Sequence, residues 1–161
     1  MIDAKRRGHH RFARTAAGRL IERPDAEAMA VVQRTAAAVA DRPVALAEKF
    51  YEHLFELAPA VRTMFPPDMT AQNDKLCRAL FQCVGALVSS DEEMVRTVSA
   101  LRRLGAHHEQ HHAVRPEHYP YVGHALVRAV RDLSQEWSTS ASSSWVWVYE
   151  WMTAHMLGRQ A

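Results

Sequence analysis

Glycine, cysteine, long apolar runs and net charge are all scarce in this chain, and each scarcity removes a class of protein. Six glycines in 161 residues, against abundant Ala, Leu, Arg and Glu, favour helices over strands. The two cysteines, Cys77 and Cys83, stand six positions apart in one expected helix. Their axial separation of about 9 Å exceeds the roughly 7 Å a disulfide can bridge, which argues against an intrachain pair. No apolar run reaches 18 residues and no signal-type hydrophobic stretch follows the N-terminal charges, so nothing points to export or membrane insertion and the cytoplasm is the expected compartment. Twenty basic against 18 acidic residues leave a formal charge of +2, which gives no whole-molecule case for nucleic acid. There is no internal repeat and no strand-period segment of useful length.

What remains is helix-forming sequence with enough apolar content, 48%, to bury one core. The basic excess is local: residues 1–23 carry seven Lys or Arg against two acidic residues and too few apolar side chains for a core. The expected organisation is therefore a flexible basic arm, 1–24, followed by one all-α domain, 25–161. Such an arm suits an anionic partner or is a plain solvated tail.

Within the domain, Pro24-Asp25 opens a helical pattern through Val31, Val32, Ala36 and Val39. Asp41 is placed to cap a second helix with the stripe Ala47, Phe50, Tyr51, Leu54 and Phe55. A short turn of helix then meets Pro66-Pro67, which forces a break and holds Phe65 at a corner. Asp68 is placed to cap a third helix, on which Gln72, Leu76, Ala79, Leu80, Cys83 and Leu87 share a face, so a polar residue begins an apolar stripe. Ser89-Ser90-Asp91 restarts the chain. The inward positions of the next helix, Met94, Val98, Leu101 and Leu104, point at His108, which lies within about 25° of the stripe's centre, whereas His107 lies more than about 100° away. His111 is intermediate, and His112 faces inward only if the helix lasts that long, since AVR before Pro116 reads as a connection. From Pro116 a helix carries Tyr119, Val122, Leu126, Ala129, Val130 and Leu133. After a Ser-rich loop, the last helix sets Trp145, Val148, Met152 and Met156 on one face and Trp147 and Trp151 on another. If exposed, that tryptophan pair suits a homodimer.

The stretch HEQHHAVRPEH, 108–118, carries the zinc-hydrolase spacing His108-Glu109-x-x-His112, two imidazoles one turn apart with a carboxylate between them to activate water, and His118 stands where a third ligand falls in the extended motif. Arg115 occupies the position where that motif needs glycine for its turn, however, and Pro116 follows it.

Four collinear blocks, FYEHLFELAPAVRTMF, FPPDMTAQNDKLCRAL, LRRLGAHH and VRPEHYPYVGHAL, spread over residues 50–126, make the domain from about residue 25 resemble a single-domain bacterial globin, close to the globin half of flavohaemoglobins and to free-standing bacterial haemoglobins. The resemblance implies a helical sandwich around a haem b pocket. In it Tyr51 matches the distal tyrosine that hydrogen-bonds bound dioxygen, Gln72 the distal glutamine, Leu76 the apolar residue that roofs the pocket, and Phe65 the corner phenylalanine that packs on the haem. Counting forward from Leu104-Gly105 makes His108 the proximal iron ligand, and Tyr119 matches a tyrosine near it. Counting back from His118-Tyr119-Pro120 lands on Glu109. One inserted residue near His111-His112 reconciles the two counts, with His107 and His111 as the alternative ligands. Gln160 falls where flavohaemoglobins carry a carboxylate.

The resemblance implies reversible binding of dioxygen, nitric oxide and carbon monoxide, for oxygen binding or delivery. Nitric oxide dioxygenation or peroxidase-like turnover would need an external reductase, since the sequence ends at Ala161 before any flavin domain. A gas or redox sensor acting through a dimer face or the basic arm is the alternative, and zinc hydrolysis at His108-Glu109-His112 the remote one.

Overall fold

The computed structural model describes residues 12–14, 19–86 and 91–158. Leu87, the Ser89-Ser90 restart, Gln160 and most of the basic arm lie outside the described residues. Asp25 caps α1 (Ala26–Val39), its side chain accepting from the Ala28 N–H at 2.8 Å, and the helix buries Met29, Val32, Ala36 and Val39. The second helix, α2 (Pro43–Leu57), starts on Pro43 with no side-chain cap; Asp41, expected to cap it, instead pairs with the neighbouring Arg42. Proline at the first helical position needs no N–H there, which makes a cap dispensable. Leu46, Ala47, Phe50, Tyr51 and Leu54 form its buried stripe.

A 3₁₀ segment, Pro59–Met64, leads to Phe65, which is extended before the double proline. Asp68 takes hydrogen bonds from the Thr70 N–H (3.0 Å) and hydroxyl (2.8 Å) as α3 (Thr70–Ala86) begins. Then come α4 (Asp91–His112), a 3₁₀ turn at Pro116–His118, α5 (Tyr119–Leu133) and α6 (Thr139–Met156), capped by Ser138. The main packing pairs α2 with α5, and α6 with both α1 and α4. Polar links tie these pairs: the Trp145 indole N–H donates to Thr35 Oγ1 at 2.8 Å, Gln33 to the Val84 carbonyl at 3.1 Å, and Arg42 to the Leu133 carbonyl at 2.8 Å. Among the described residues no helix is long and apolar enough to cross a membrane.

The structure adds an element unforeseen in the sequence. Within the expected loose arm, β1 (Phe12–Arg14) pairs antiparallel with β2 (Leu20–Glu22) and lies on α6. Ile21 is buried, Arg19 pairs with Glu150 at 2.6 Å, and the Trp147 indole donates to the Glu22 carbonyl at 2.8 Å. Trp147 is thereby half-covered and Trp151 is wholly buried, so the two tryptophans form no exposed patch of the kind a homodimer face would need.

Two glycines let the long helices touch. A Cβ on Gly105 would lie 1.8 Å from the Met156 carbonyl oxygen, and one on Gly123 would lie 2.5 Å from the Tyr149 ring. Both distances are inside van der Waals contact, so only glycine permits the observed approach of α4 and of α5 to α6. Gly105 stands one turn before His108 and so sets the height of that histidine against the core.

Candidate functional site

Consecutive helices α3 and α4 touch each other only lightly, while α3 leans on α2 and α4 on α6. Gln72, Leu76 and Cys83 on α3, and Leu104 and His108 on α4, stay half-buried, although most are apolar. Apolar side chains left partly open on two helices that touch only lightly suit the wall of a cleft better than a finished core.

The α2–α3 side of this region is dense with aromatic rings. Tyr51, 5% exposed, meets Phe50 edge-on at 4.8 Å between ring centres, stacks with Phe55 at 5.7 Å, and meets Phe65 edge-on at 5.4 Å. Phe55 and Phe65 close the cluster at 5.6 Å. Such edge-on contacts favour one arrangement of rings beyond the area they bury. The Tyr51 hydroxyl has the Gln72 side chain as its hydrogen-bonding neighbour. Burial raises its pKa to about 12, an effect that the Gln72 hydrogen bond partly opposes and the nearby Cys77 slightly reinforces. The phenol is therefore a protonated, neutral donor at any physiological pH. Cys77 is itself buried with its pKa raised, chiefly by that burial, and its thiol donates to the Pro43 carbonyl.

Arg62, which drew no attention in the sequence, holds the corner together. Its guanidinium lies 5.1 Å from the centre of the Phe55 ring and donates to the carbonyls of Phe65 (3.2 Å), Pro66 (3.1 Å) and Pro67 (3.5 Å). The backbone carrying Phe65 is fixed by this one side chain. A basic residue inside a short 3₁₀ turn before a double proline was the available signal.

On α4, His108 is half-buried, whereas His107, His111 and His112 are exposed. Burial first, and then the neighbouring His112 and His107, lower its pKa, which favours the neutral imidazole that a metal requires. The helix runs through His112 and gives way, where expected, to the AVR connection; Ala113 is in the left-handed region at φ 53° while the Val114 N–H returns to the His108 carbonyl at 3.1 Å. That closure is one residue wider than the usual six-residue helix stop.

Tyr119 is buried at the start of α5, where its neighbours are Tyr149, whose hydroxyl donates to the Tyr119 carbonyl at 2.5 Å, and Glu109. Burial and then Glu109 raise its pKa. Glu109 and Tyr119 also border a cavity of about 240 Å³ between the ends of α4 and α6. Of the residues singled out in the sequence, Tyr51, Phe65 and Gln72 thus come together. Leu76 follows Gln72 by one turn, Leu104 precedes His108 by one turn, and Tyr119 sits beside the residue after His108.

The residues fit a haem: an open apolar wall with one half-buried neutral imidazole on one helix and a buried phenol and amide on the others is the donor set that group uses. They do not fit a zinc hydrolase. Among the described residues no group of three or more His, Cys, Asp or Glu is arranged to hold a metal. The rings of His108 and His112 are 6.2 Å apart, and His118 Nδ1 is engaged by the Arg115 N–H at 3.0 Å.

Comparison with known proteins agrees with this architecture. The globin family model matches residues 48–156. The chain is 28% identical over 118 residues to a flavohemoprotein of Vibrio cholerae serotype O1, covering 72% of this chain and 29% of that protein. It is 26% identical over 123 residues to the flavohemoprotein of Rhizobium meliloti, covering 74% and 29% respectively. The chain therefore spans less than a third of these relatives' length. Among solved structures, a Pseudomonas aeruginosa PAO1 protein described as structurally highly homologous to a human hemoglobin is 25% identical with a TM-score of 0.66, covering 83% of this chain and 99% of that one. The deoxy hemoglobin of Mustelus griseus, at 17% identity and a TM-score of 0.61 over 82% and 98% of the two chains, shares the fold. With the family match covering 109 of 161 residues (48 through 156), and with an all-α fold to match, this chain belongs to the globin family.

Proposed function

We propose that this globin binds haem b between α3 and α4 and uses it to take up dioxygen and other diatomic gases reversibly, acting in the cytoplasm. The haem would supply an iron that binds diatomic gases. His108 would hold that iron through a neutral imidazole, and Gly105 keeps the helix seated on α6 so that the ring stays at fixed height. Phe65, Leu76 and Leu104 would line the pocket around the group and exclude water. The Tyr51 hydroxyl and the Gln72 amide would donate hydrogen bonds to a diatomic gas held there.

The observation that carries this reading is Tyr51: a phenol 5% exposed, set in apolar rings, with Gln72 beside it. The Gln72 hydrogen bond lowers the Tyr51 pKa, so the amide donates to the phenol oxygen and leaves the phenolic proton as a donor for a polar guest. Hydrogen bonds to charged groups contribute about 1.5–3 kcal/mol, which corresponds to roughly ten- to hundredfold in a rate. The test is stopped-flow oxygen dissociation of the haem-reconstituted protein. Tyr51→Phe is expected to release oxygen about ten to a hundred times faster with carbon monoxide release little changed, because the less polar gas gains less from the donor. Equal release rates in wild type and variant would remove Tyr51 from the gas site.

Nitric oxide dioxygenation is the turnover such slow oxygen release would serve, with a reductase supplying the electrons. A sensor function draws support from the docking of β1 and β2 on α6, which joins the basic segment to the helical body. A gas-dependent change in oligomeric state, measured by sedimentation, would favour the sensor over the carrier.

A further inference from the structure

Four histidines crowd the last turns of α4, and the iron needs one of them. His107 and His111, both exposed, are four residues apart on one face of the helix, and their ring centres stand 4.5 Å from each other at an interplanar angle of 38°. A metal held at a nitrogen distance of about 2.0–2.1 Å lies about 3.2 Å from each ring centre. Two such imidazoles at a right angle therefore have centres about 4.5 Å apart, and at the tetrahedral angle about 5.2 Å. The other pair with the same spacing, His108 and His112, is at 6.2 Å, outside both values. His107 and His112, at 5.3 Å, match the tetrahedral separation.

We propose that His107 and His111 form a two-histidine chelate for a divalent cation of tetragonal preference, Cu²⁺ before Ni²⁺ and both before Zn²⁺. Among the described residues no third side chain completes a cage, so water fills the remaining positions. That leaves geometry and the intrinsic order of metal affinity to decide the occupant, and both favour copper. The chelate clamps the last turn of α4, directly before Ala113 leaves the helix in the left-handed conformation. The site asks of the haem reading only that the iron take His108.

The test is calorimetric titration of Cu²⁺, Ni²⁺ and Zn²⁺ into the ferric, haem-loaded full chain at pH 8, in a background carrying His9→Ala and His10→Ala so that the N-terminal histidine pair does not compete. The expected result is one Cu²⁺ per chain, bound more tightly than Ni²⁺ or Zn²⁺. His107→Ala and His111→Ala should each weaken Cu²⁺ binding at least tenfold, while His112→Ala changes it less than twofold and the haem spectrum is the same in all three. Undiminished binding in His111→Ala, an equal loss in His112→Ala, or Zn²⁺ binding tighter than Cu²⁺ would overturn the assignment. Loss of the haem spectrum in His107→Ala or His111→Ala would overturn it too, by giving that imidazole to the haem iron. Failure of copper binding with an intact haem spectrum overturns the chelate alone.

Discussion

On the α2–α3 side of the cleft the Tyr51 ring meets three other aromatic rings, and Arg62 ties down the corner beside them; on the α4 side a single half-buried imidazole stands one turn from Gly105, near a helix end closed by a left-handed alanine. The first region is fixed by side chains that fit one another. The second is fixed by backbone, through the close approach that Gly105 permits and the wide turn from Val114 back to His108. A gas site needs both kinds of order, because the donor must be placed to a few tenths of an ångström while the iron ligand must only be kept at a constant height. The difference predicts that substitutions on the first side change gas kinetics and those on the second change stability and haem retention.

Gly105→Ala should have the largest effect. Its methyl group would lie on the Met156 carbonyl, backbone that cannot swing aside, so α4 must move from α6. Overpacking of this kind costs about 1–3 kcal/mol, equivalent to roughly 2–12 °C in Tm, and the account expects weaker haem retention with it. An unchanged Tm in calorimetry would show that α4 is not seated by this contact. Arg62→Ala comes next. Losing three carbonyl partners and the ring contact should lower stability by about 1–2 kcal/mol and speed oxygen release severalfold with haem retained, which flash photolysis and denaturant titration would separate. Should release stay at the wild-type rate, Phe65 is positioned without Arg62.

Ala113→Gly is the smallest change and has the opposite sign. A left-handed alanine costs about 1–2 kcal/mol, of which glycine returns part through its larger unfolded-state entropy, so a net gain of up to about 1 kcal/mol is expected in chemical denaturation. A loss of stability would mean that the alanine methyl makes a contact that outweighs the strain.

The amphipathic spacing on α1, α2 and α5 made those helices legible in the sequence, since each buries most of the residues its period selects, with Phe55, Val122 and Leu133 half-buried. On α3 the expected stripe holds at Leu80, which is buried, but Cys77 and Val84 complete the core face, and Gln72, Leu76 and Cys83 form its half-buried border. A cleft explains this, because residues that line an opening carry the same apolar signal as residues that fill a core. The β1–β2 pair was invisible for a different reason. Three-residue strands have no period to read, and their place depends on Trp147 and Glu150, more than a hundred residues away. Gly105, Gly123 and the Tyr149 bond to Tyr119 were missed likewise, being contacts between helices that leave no local pattern. Tyr51, Gln72 and His108 stood out because each is a polar residue on an apolar face, the one local signature that a buried binding site must leave.

The most direct test of the central claim is the absorption spectrum of the haem-reconstituted protein in ferric, dithionite-reduced and carbon monoxide forms, for the wild type and for His108→Ala, His107→Ala and His111→Ala. The account predicts a five-coordinate ferrous wild type with a histidine-type carbon monoxide band, unchanged by the substitutions at 107 and 111 and lost with the one at 108. A normal carbon monoxide spectrum in His108→Ala, or a wild-type chain that takes up no haem, would contradict it.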